Sequence, residues 1–253
     1  MDLGIAGRRA IVTGAGKGIG AAIAGSLARE GVAVSILDID DAAAGATAAA
    51  LAAEGWAAEA RALDVTDWAA VTRVLAAIAA ERGPVDILVN NAGIVRRTPT
   101  ATVSDAEWDL VDRVNFRGAL YCCQAVMEGM RERGWGRIVN VLSLALKVIG
   151  SVEVASYAAS KAALGGLTRV LAKDLGPHGV TVNGVLPGTI GETAFSDSMG
   201  QSRDLAVPPG ASIPVGRRGT PEDIGPVVAF LCSRQAGYIT GEFVDVNGGM
   251  LMD

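Results

Sequence analysis

Tyr157 and Lys161 stand four residues apart in a run from Ser156 to Gly176 that reads as a helix. That spacing puts both side chains on one helical face. A free tyrosine titrates near pH ~10, too high to accept a proton readily at neutral pH. An ammonium beside it favours the phenolate. At ~4 Å and an effective dielectric of ~20 the attraction is up to ~4 kcal/mol, an upper bound equivalent to ~3 pK units. The pair therefore has the makings of a general acid/base. A surface pair without chemistry has the same spacing. Asn115 lies inside another long helical run, Ser104 to Arg133, whose start carries the capping pattern Ser104-x-x-Glu107. Asparagine is a mediocre helix former, so its place there calls for a functional reason.

A second group of residues suits an anion. Ala10-Ile11-Val12 reads as a buried strand, and Ile19, Ile23 and Leu27 recur at helical spacing after it. Between them Gly14, Gly16, Gly18 and Gly20 crowd together, with Lys17 among them. Glycines let the backbone turn sharply and approach a pyrophosphate, and the helix start offers N–H groups and a positive dipole end. A strict G-x-G-x-x-G fails, because Ile19 stands where its last glycine would. Thr13-Gly14-x-x-x-Gly18-x-Gly20 fits. Asp38 ends the next strand, Ala33 to Leu37, about twenty residues past the glycines, where a carboxylate can accept hydrogen bonds from an adenosine ribose. Asp40 and Asp41 are better placed as caps for the helix Ala42 to Glu54.

The elements that must hold these residues alternate. Further strands are expected at Ala60–Leu63, Val85–Val89, Arg137–Leu142, Val180–Leu186 and Phe243–Val246, and further helices at Trp68–Arg82 and from Pro221 to Ser233. That pattern demands a parallel sheet with right-handed crossovers. The expected fold is α/β: a single-domain, Rossmann-type doubly wound sheet of about seven parallel strands with helices on both faces. The 253 residues suit one domain, 1–253, and half of them are hydrophobic, enough for a large core. Residues 189–213 are polar and weakly periodic, and are expected to form a substrate lid. A net charge of −5 argues against a nucleic-acid surface. No apolar run has membrane-spanning length, and the N-terminal stretch lacks a signal-peptide core. Cys122, Cys123 and Cys232 read as buried reduced thiols of a cytoplasmic protein, the first two pointing to different sides of their helix. The one histidine, His178, sits in a loop, so no metal site is expected.

Along essentially its whole length the chain resembles the short-chain dehydrogenase/reductase family. The matching residues are the glycine motif, Asp64-Val65, Asn90-Asn91-Ala92-Gly93, Asn115, Ser143, Tyr157-x-x-x-Lys161, Asn183, Pro187-Gly188 and a tail from Tyr238-Ile239-Thr240-Gly241 to Asn247-Gly248-Gly249. The resemblance implies hydride transfer between a secondary alcohol or ketone and a nicotinamide, with Tyr157 as acid/base. It implies that Lys161 also bonds the nicotinamide ribose and that Ser143 donates to the substrate oxygen. Asn115 would bend its helix around a water linking Lys161 to solvent. The implied cofactor contacts are Gly14, Lys17, Gly18, Ile19, Gly20, Asp38, Asp64, Val65, Asn91, Ala92, Gly93, Tyr157, Lys161, Pro187, Gly188, Ile190 and Thr193. Two departures stand out. Leu142 occupies the first of the family's two serine positions, and loop 144–155 and the lid each carry one residue more than is common.

Asp38 favours NAD(H) over NADP(H), since it would repel a 2′-phosphate and Ile39 supplies no arginine. Lys17 points the other way, towards an NADPH-dependent 3-oxoacyl-carrier-protein reductase, the alternative enzyme. A dinucleotide-sensing protein is the non-enzyme alternative, and the intact Ser143, Asn115, Tyr157 and Lys161 argue against it. Arg96 and Arg97 follow a central strand, where an open α/β sheet places its ligand. Paired arginines there suit a carboxylate, so a small polar alcohol such as a polyol or sugar acid is expected. Polar lid residues, Glu192, Ser196, Asp197, Ser198, Gln201, Ser202, Arg203 and Asp204, support this. Leu144, Leu146, Val148 and Ile149 would line the mouth with apolar groups, which suit a cyclic or aliphatic alcohol instead. Leu120, Cys123, Val126 and Met127, with the alanine–glycine run of the helix 156–176, suggest helix packing across a two-fold axis, and a homotetramer is expected.

Overall fold

The computed structural model describes residues 2–148, 152–191 and 213–252. Seven strands form one sheet: β1 (Arg9–Thr13), β2 (Ala33–Asp38), β3 (Ala58–Ala62), β4 (Ile87–Asn90), β5 (Gly136–Val141), β6 (Val180–Pro187) and β7 (Phe243–Val246). Their order is β3-β2-β1-β4-β5-β6-β7, and every pairing is parallel. This is the doubly wound fold the alternation demands.

Side chains alternate between two apolar layers, as strand geometry requires. Ala10, Val12, Val34, Ile36, Ile87 and Val89 face α1 (Gly18–Arg29), α2 (Asp41–Ala53) and, further on, the helix Pro221–Leu231. Ile11, Leu37, Leu88 and Ile138 face α3 (Trp68–Arg82) and two helices named below. Both faces are covered, so the central strands read as continuous apolar runs rather than alternating ones.

The expected long helix Ser104–Arg133 is three pieces: α4 (Asp105–Asp112), a π-helical turn (Arg113–Arg117) and α5 (Gly118–Arg133). The break falls on Asn115, whose side chain bonds outside its own helix. α6 (Ala155–Leu175) and α7 (Pro221–Leu231) complete the layers. Gly225 lets α7 lie close on α1: a Cβ there would stand 2.8 Å from the Ala22 carbonyl. Strand ends differ from expectation by at most two residues; β3, for example, starts at Ala58 and β4 at Ile87, while β7 falls as expected.

Cys122 and Cys123 are adjacent on α5 and both are fully buried. Both belong to the apolar layer shared with α3 and α6. Burial pushes both thiols up, Cys123 to about 12. His178 lies exposed in a short turn. Among the described residues no cluster of His, Cys, Asp or Glu could hold a metal ion, and no helix is long and apolar enough to cross a membrane.

Candidate active site

The site sits at the carboxyl ends of β1, β4 and β5. Gly14 and Gly18 both take left-handed backbone, with φ 61° and 58°. A Cβ on Gly14 would stand 2.7 Å from the Ala92 Cα, and one on Gly20 would stand 2.5 Å from Asn91 Nδ2. The turn is bolted to the end of β4. Asn91 Nδ2 donates to the Gly14 carbonyl at 2.8 Å, and Thr13 Oγ1 accepts from the Asn91 and Ala92 amides. Asn91 therefore shapes the turn with its side chain, beyond the contact its motif implies. Aspartate or serine side chains cap α2, α3 and α4, from Asp40, Asp67 and Ser104. No side chain caps α1, and its first turn has no acidic residue. The residues present thus fit a dinucleotide pyrophosphate: a glycine cradle beside a helix start with no side-chain cap and no acidic residue in its first turn.

Asp38 reaches the same turn. Its Oδ2 accepts from the Gly16 amide at 2.9 Å and its Oδ1 from the Asp40 amide at 3.0 Å. Thr47, which the sequence did not single out, donates from Oγ1 to the Gly16 carbonyl at 2.9 Å. Beside them Ile39 is 73 % exposed and Lys17 is exposed. Asp64 accepts from the Thr66 amide in a local turn, and Val65 packs against Gly118.

Tyr157 and Lys161 share a face of α6 and both are buried. The Tyr157 hydroxyl is hydrogen-bonded to Ser143, which follows β5. Lys161 Nζ donates to the Val141 carbonyl at 2.7 Å and lies 5.8 Å from the Tyr157 ring centroid. The expected lowering of the tyrosine pKa is not seen in the protein alone. Burial pushes Tyr157 up to about 12, against the pull of the Ser143 hydrogen bond. The same burial brings Lys161 down to about 8. Loss of water around both groups sets the direction of both shifts.

Asn115 is 1 % exposed. Its Oδ1 accepts from the Ile94 amide at 2.8 Å, and its Nδ2 donates to the Ile94 carbonyl at 2.9 Å and to Ser160 Oγ at 3.0 Å. A Cβ on Gly93 would meet both Asn115 Oδ1 and Lys161 Nζ, at 3.3 and 3.4 Å. Glycine there keeps these groups open to the space in front of β4.

Pro187 ends β6, and a Cβ on Gly188 would stand 2.8 Å from the Asn247 Cα. Ile190 is buried and bridges to Gly219. A cleft of about 450 Å³ opens here, lined by Gly188, Ile190, Arg217, Asp245 and Gly248; Tyr157 and Lys161 are not in its wall. Thr193, the eight polar lid residues and Ile149 lie outside the described residues.

Val95, Val154 and Tyr157 pack together, with Ala145 against them, so the phenol stands in an apolar collar. Leu144, which follows Ser143 in the sequence, is buried. Leu146 does not line the mouth; it packs inward with Leu142, Leu164 and Phe243. Arg97 is engaged as well. Its Nε and Nη2 both donate to Glu153 Oε2, at 3.0 and 2.6 Å. Arg96 donates to the adjacent Val95 carbonyl at 3.2 Å and is otherwise exposed. The expectation of two arginines ready for one carboxylate therefore does not hold; Glu153 already occupies the second.

Residues 14–251 match the family model described as enoyl-(acyl carrier protein) reductase. The chain is 44 % identical to the short-chain reductase protein NovJ of Streptomyces niveus, over 95 % of this chain and 92 % of that one. It is 40 % identical to the 3-oxoacyl-[acyl-carrier-protein] reductase FabG of Escherichia coli, over 97 % and 98 %. A gluconate 5-dehydrogenase from Burkholderia cenocepacia, solved with NADP and tartrate, superposes with a TM-score of 0.89 at 33 % identity, covering 98 % of this chain and 97 % of that one. Motifs, sheet order and relatives agree: the chain belongs to the short-chain dehydrogenase/reductase family and is an NAD(P)-dependent oxidoreductase.

Proposed function

We propose that this enzyme interconverts a small secondary alcohol and its ketone, with NAD(H) preferred over NADP(H). The Ser143–Tyr157 hydrogen bond beside the glycine turn carries the reading. When bound, the nicotinamide supplies the site that gives or takes the hydride. Gly14, Gly18, Ile19 and Gly20 would hold the pyrophosphate, with Lys17 at the rim, and Asp38 the adenosine ribose. Ala92, Gly93, Pro187, Gly188 and Ile190 would flank the other end. In reduction, the Tyr157 hydroxyl gives its proton to the substrate oxygen while Ser143 donates a hydrogen bond to that oxygen. In oxidation the proton returns to Tyr157. Lys161, at its lowered pKa of about 8, passes protons near neutral pH more readily than a free lysine.

The collar of Val95 and Val154 favours an apolar group next to the reacting carbon, and Arg96 would meet a polar or anionic end. A panel of polyols, sugar acids, hydroxy acids and cyclic alcohols, followed at the nicotinamide absorbance, tests this. A second reading is NADPH-dependent reduction of a carrier-bound 3-oxoacyl group. The 40 % identity to FabG and the exposed Lys17 favour it. Turnover of 3-oxoacyl thioesters alone in the same panel would select it, and absence of any turnover would leave dinucleotide sensing.

Asp38→Ala separates the cofactors. The substitution removes the carboxylate that would repel a 2′-phosphate, at a position with no compensating arginine. NAD use is expected to weaken and the preference over NADP to fall about tenfold, as read from kcat/KM. Equal or better kcat/KM with NADP in the parent enzyme would overturn the NAD assignment.

The buried free thiols suit a reducing, cytoplasmic setting. We also propose a homotetramer. Cys123 and Val126 are core residues, so they cannot form its interface as expected. Trp108 and Leu110 on α4 and Val170 on α6 are 42 %, 43 % and 64 % exposed instead, and nothing lies within 4 Å of a Cβ built on Gly166. Such faces suit close helix packing about a two-fold axis. Light scattering at micromolar concentration is expected to give the tetramer mass; a monomer mass refutes it.

A further inference from the structure

Ser160 lies in the one turn of α6 between the two catalytic side chains and is 3 % exposed. Both capacities of its hydroxyl are used. Oγ donates to the Tyr157 carbonyl at 2.8 Å and accepts from Asn115 Nδ2 at 3.0 Å. Asn115 in turn clamps the backbone of Ile94 by its amide and carbonyl. Asn115 and this hydroxyl together therefore link three segments: the loop after β4, the π-helical turn and the catalytic helix.

The geometry points to Ser160 as a positioning residue that sets the distance between the Gly93–Ile94 loop and the Tyr157–Lys161 face. The Asn115 amide is held to Ile94 at two points whether or not Ser160 is present. What Ser160 adds is the tie from that clamp to α6. It fixes where Tyr157 and Lys161 stand relative to the loop that would border the nicotinamide, without touching substrate or cofactor. Small displacements of an acid/base from its partner cost rate rather than ground-state binding. The inference rests on the reading of Tyr157 and Lys161 as the acid/base pair.

The test is a double-mutant cycle on the full-length enzyme, using the best substrate of the panel. Ser160→Ala is expected to lower kcat about tenfold while the KM for NAD changes less than about twofold. In the Asn115→Ala background the same substitution is expected to cost no more than about twofold, because the tie has already lost its other end. An unchanged kcat in Ser160→Ala, or losses that simply multiply, overturns the inference. A general loosening of the fold would raise KM and lower kcat together in both backgrounds, which also overturns it. If Ser160→Ala does not fold, Ser160→Cys carries the same comparison, since its sulfur matches the hydroxyl in place and bonds more weakly. Full activity in Tyr157→Phe would instead remove the underlying reading, so the two failures are told apart.

Discussion

Tyr157→Phe is expected to lose turnover about a thousandfold or more while NAD binding stays within a few-fold of the parent. The phenyl ring keeps its place between Val95 and Val154, so the fold has little reason to respond. What is lost is the hydroxyl that would carry a proton to the substrate oxygen. Steady-state kinetics and a direct measure of cofactor binding decide the matter; a variant retaining most of its kcat would disprove the assignment. The parent enzyme should also show a direction-dependent pH profile. Burial holds the phenol protonated up to about 12 in the protein alone. Reduction consumes that proton and should slow as pH rises. Oxidation needs the phenolate and should speed up.

Lys161→Met is expected to abolish activity and yet stabilise the protein. Burial lowers the lysine from 10.5 to about 8, so the fold carries a desolvated ammonium at neutral pH. A shift of that size corresponds to ~3 kcal/mol, of which loss of the bond to the Val141 carbonyl takes back ~1 kcal/mol. The sign follows from linkage. Between about pH 8 and 10.5 the unfolded lysine binds a proton that the folded one has released, so the parent's stability rises with pH across that window. The advantage of methionine is therefore largest below about pH 8 and fades towards 10.5. Denaturant unfolding near neutrality and near pH ~10 would show it. A destabilised variant at neutral pH, or a gain that does not change with pH, contradicts the account.

Much of this could be read in the sequence, because it is local. Tyr157 and Lys161 share a face by spacing alone. Gly14 and Gly18 declare their backbone by being glycine, and Asp38 is marked by following its strand. What could not be read depends on neighbours remote in sequence. The direction of the Tyr157 shift comes from burial by Val95 and Val154. The pairing of Arg97 joins residues 56 apart in the chain. Asn115 hinted at the break in its helix, since the residue is poor for a helix interior, but the π-helical form needed Ile94 and Ser160 as partners. Leu146 and Val126 look alike as apolar residues on predicted surfaces, and only the packing of sheet against helix turns them inward.

The strand order also governs how the molecule comes into being. β1 lies between β2 and β4, with Ala10 opposite both Val34 and Ile87. During synthesis the first strand gains one neighbour early and must wait for the other. Until Ile87 and its successors emerge, Ile11 and Val12 sit on an open, apolar sheet edge of the kind that recruits other chains. At about 5–20 residues per second that interval lasts several seconds. α6, with Tyr157 and Lys161, is made only afterwards and closes onto a sheet whose centre already exists. Slow or interrupted translation before β4 thus exposes the nascent nucleotide-binding half to aggregation at the strand that becomes one of the most enclosed in the finished enzyme.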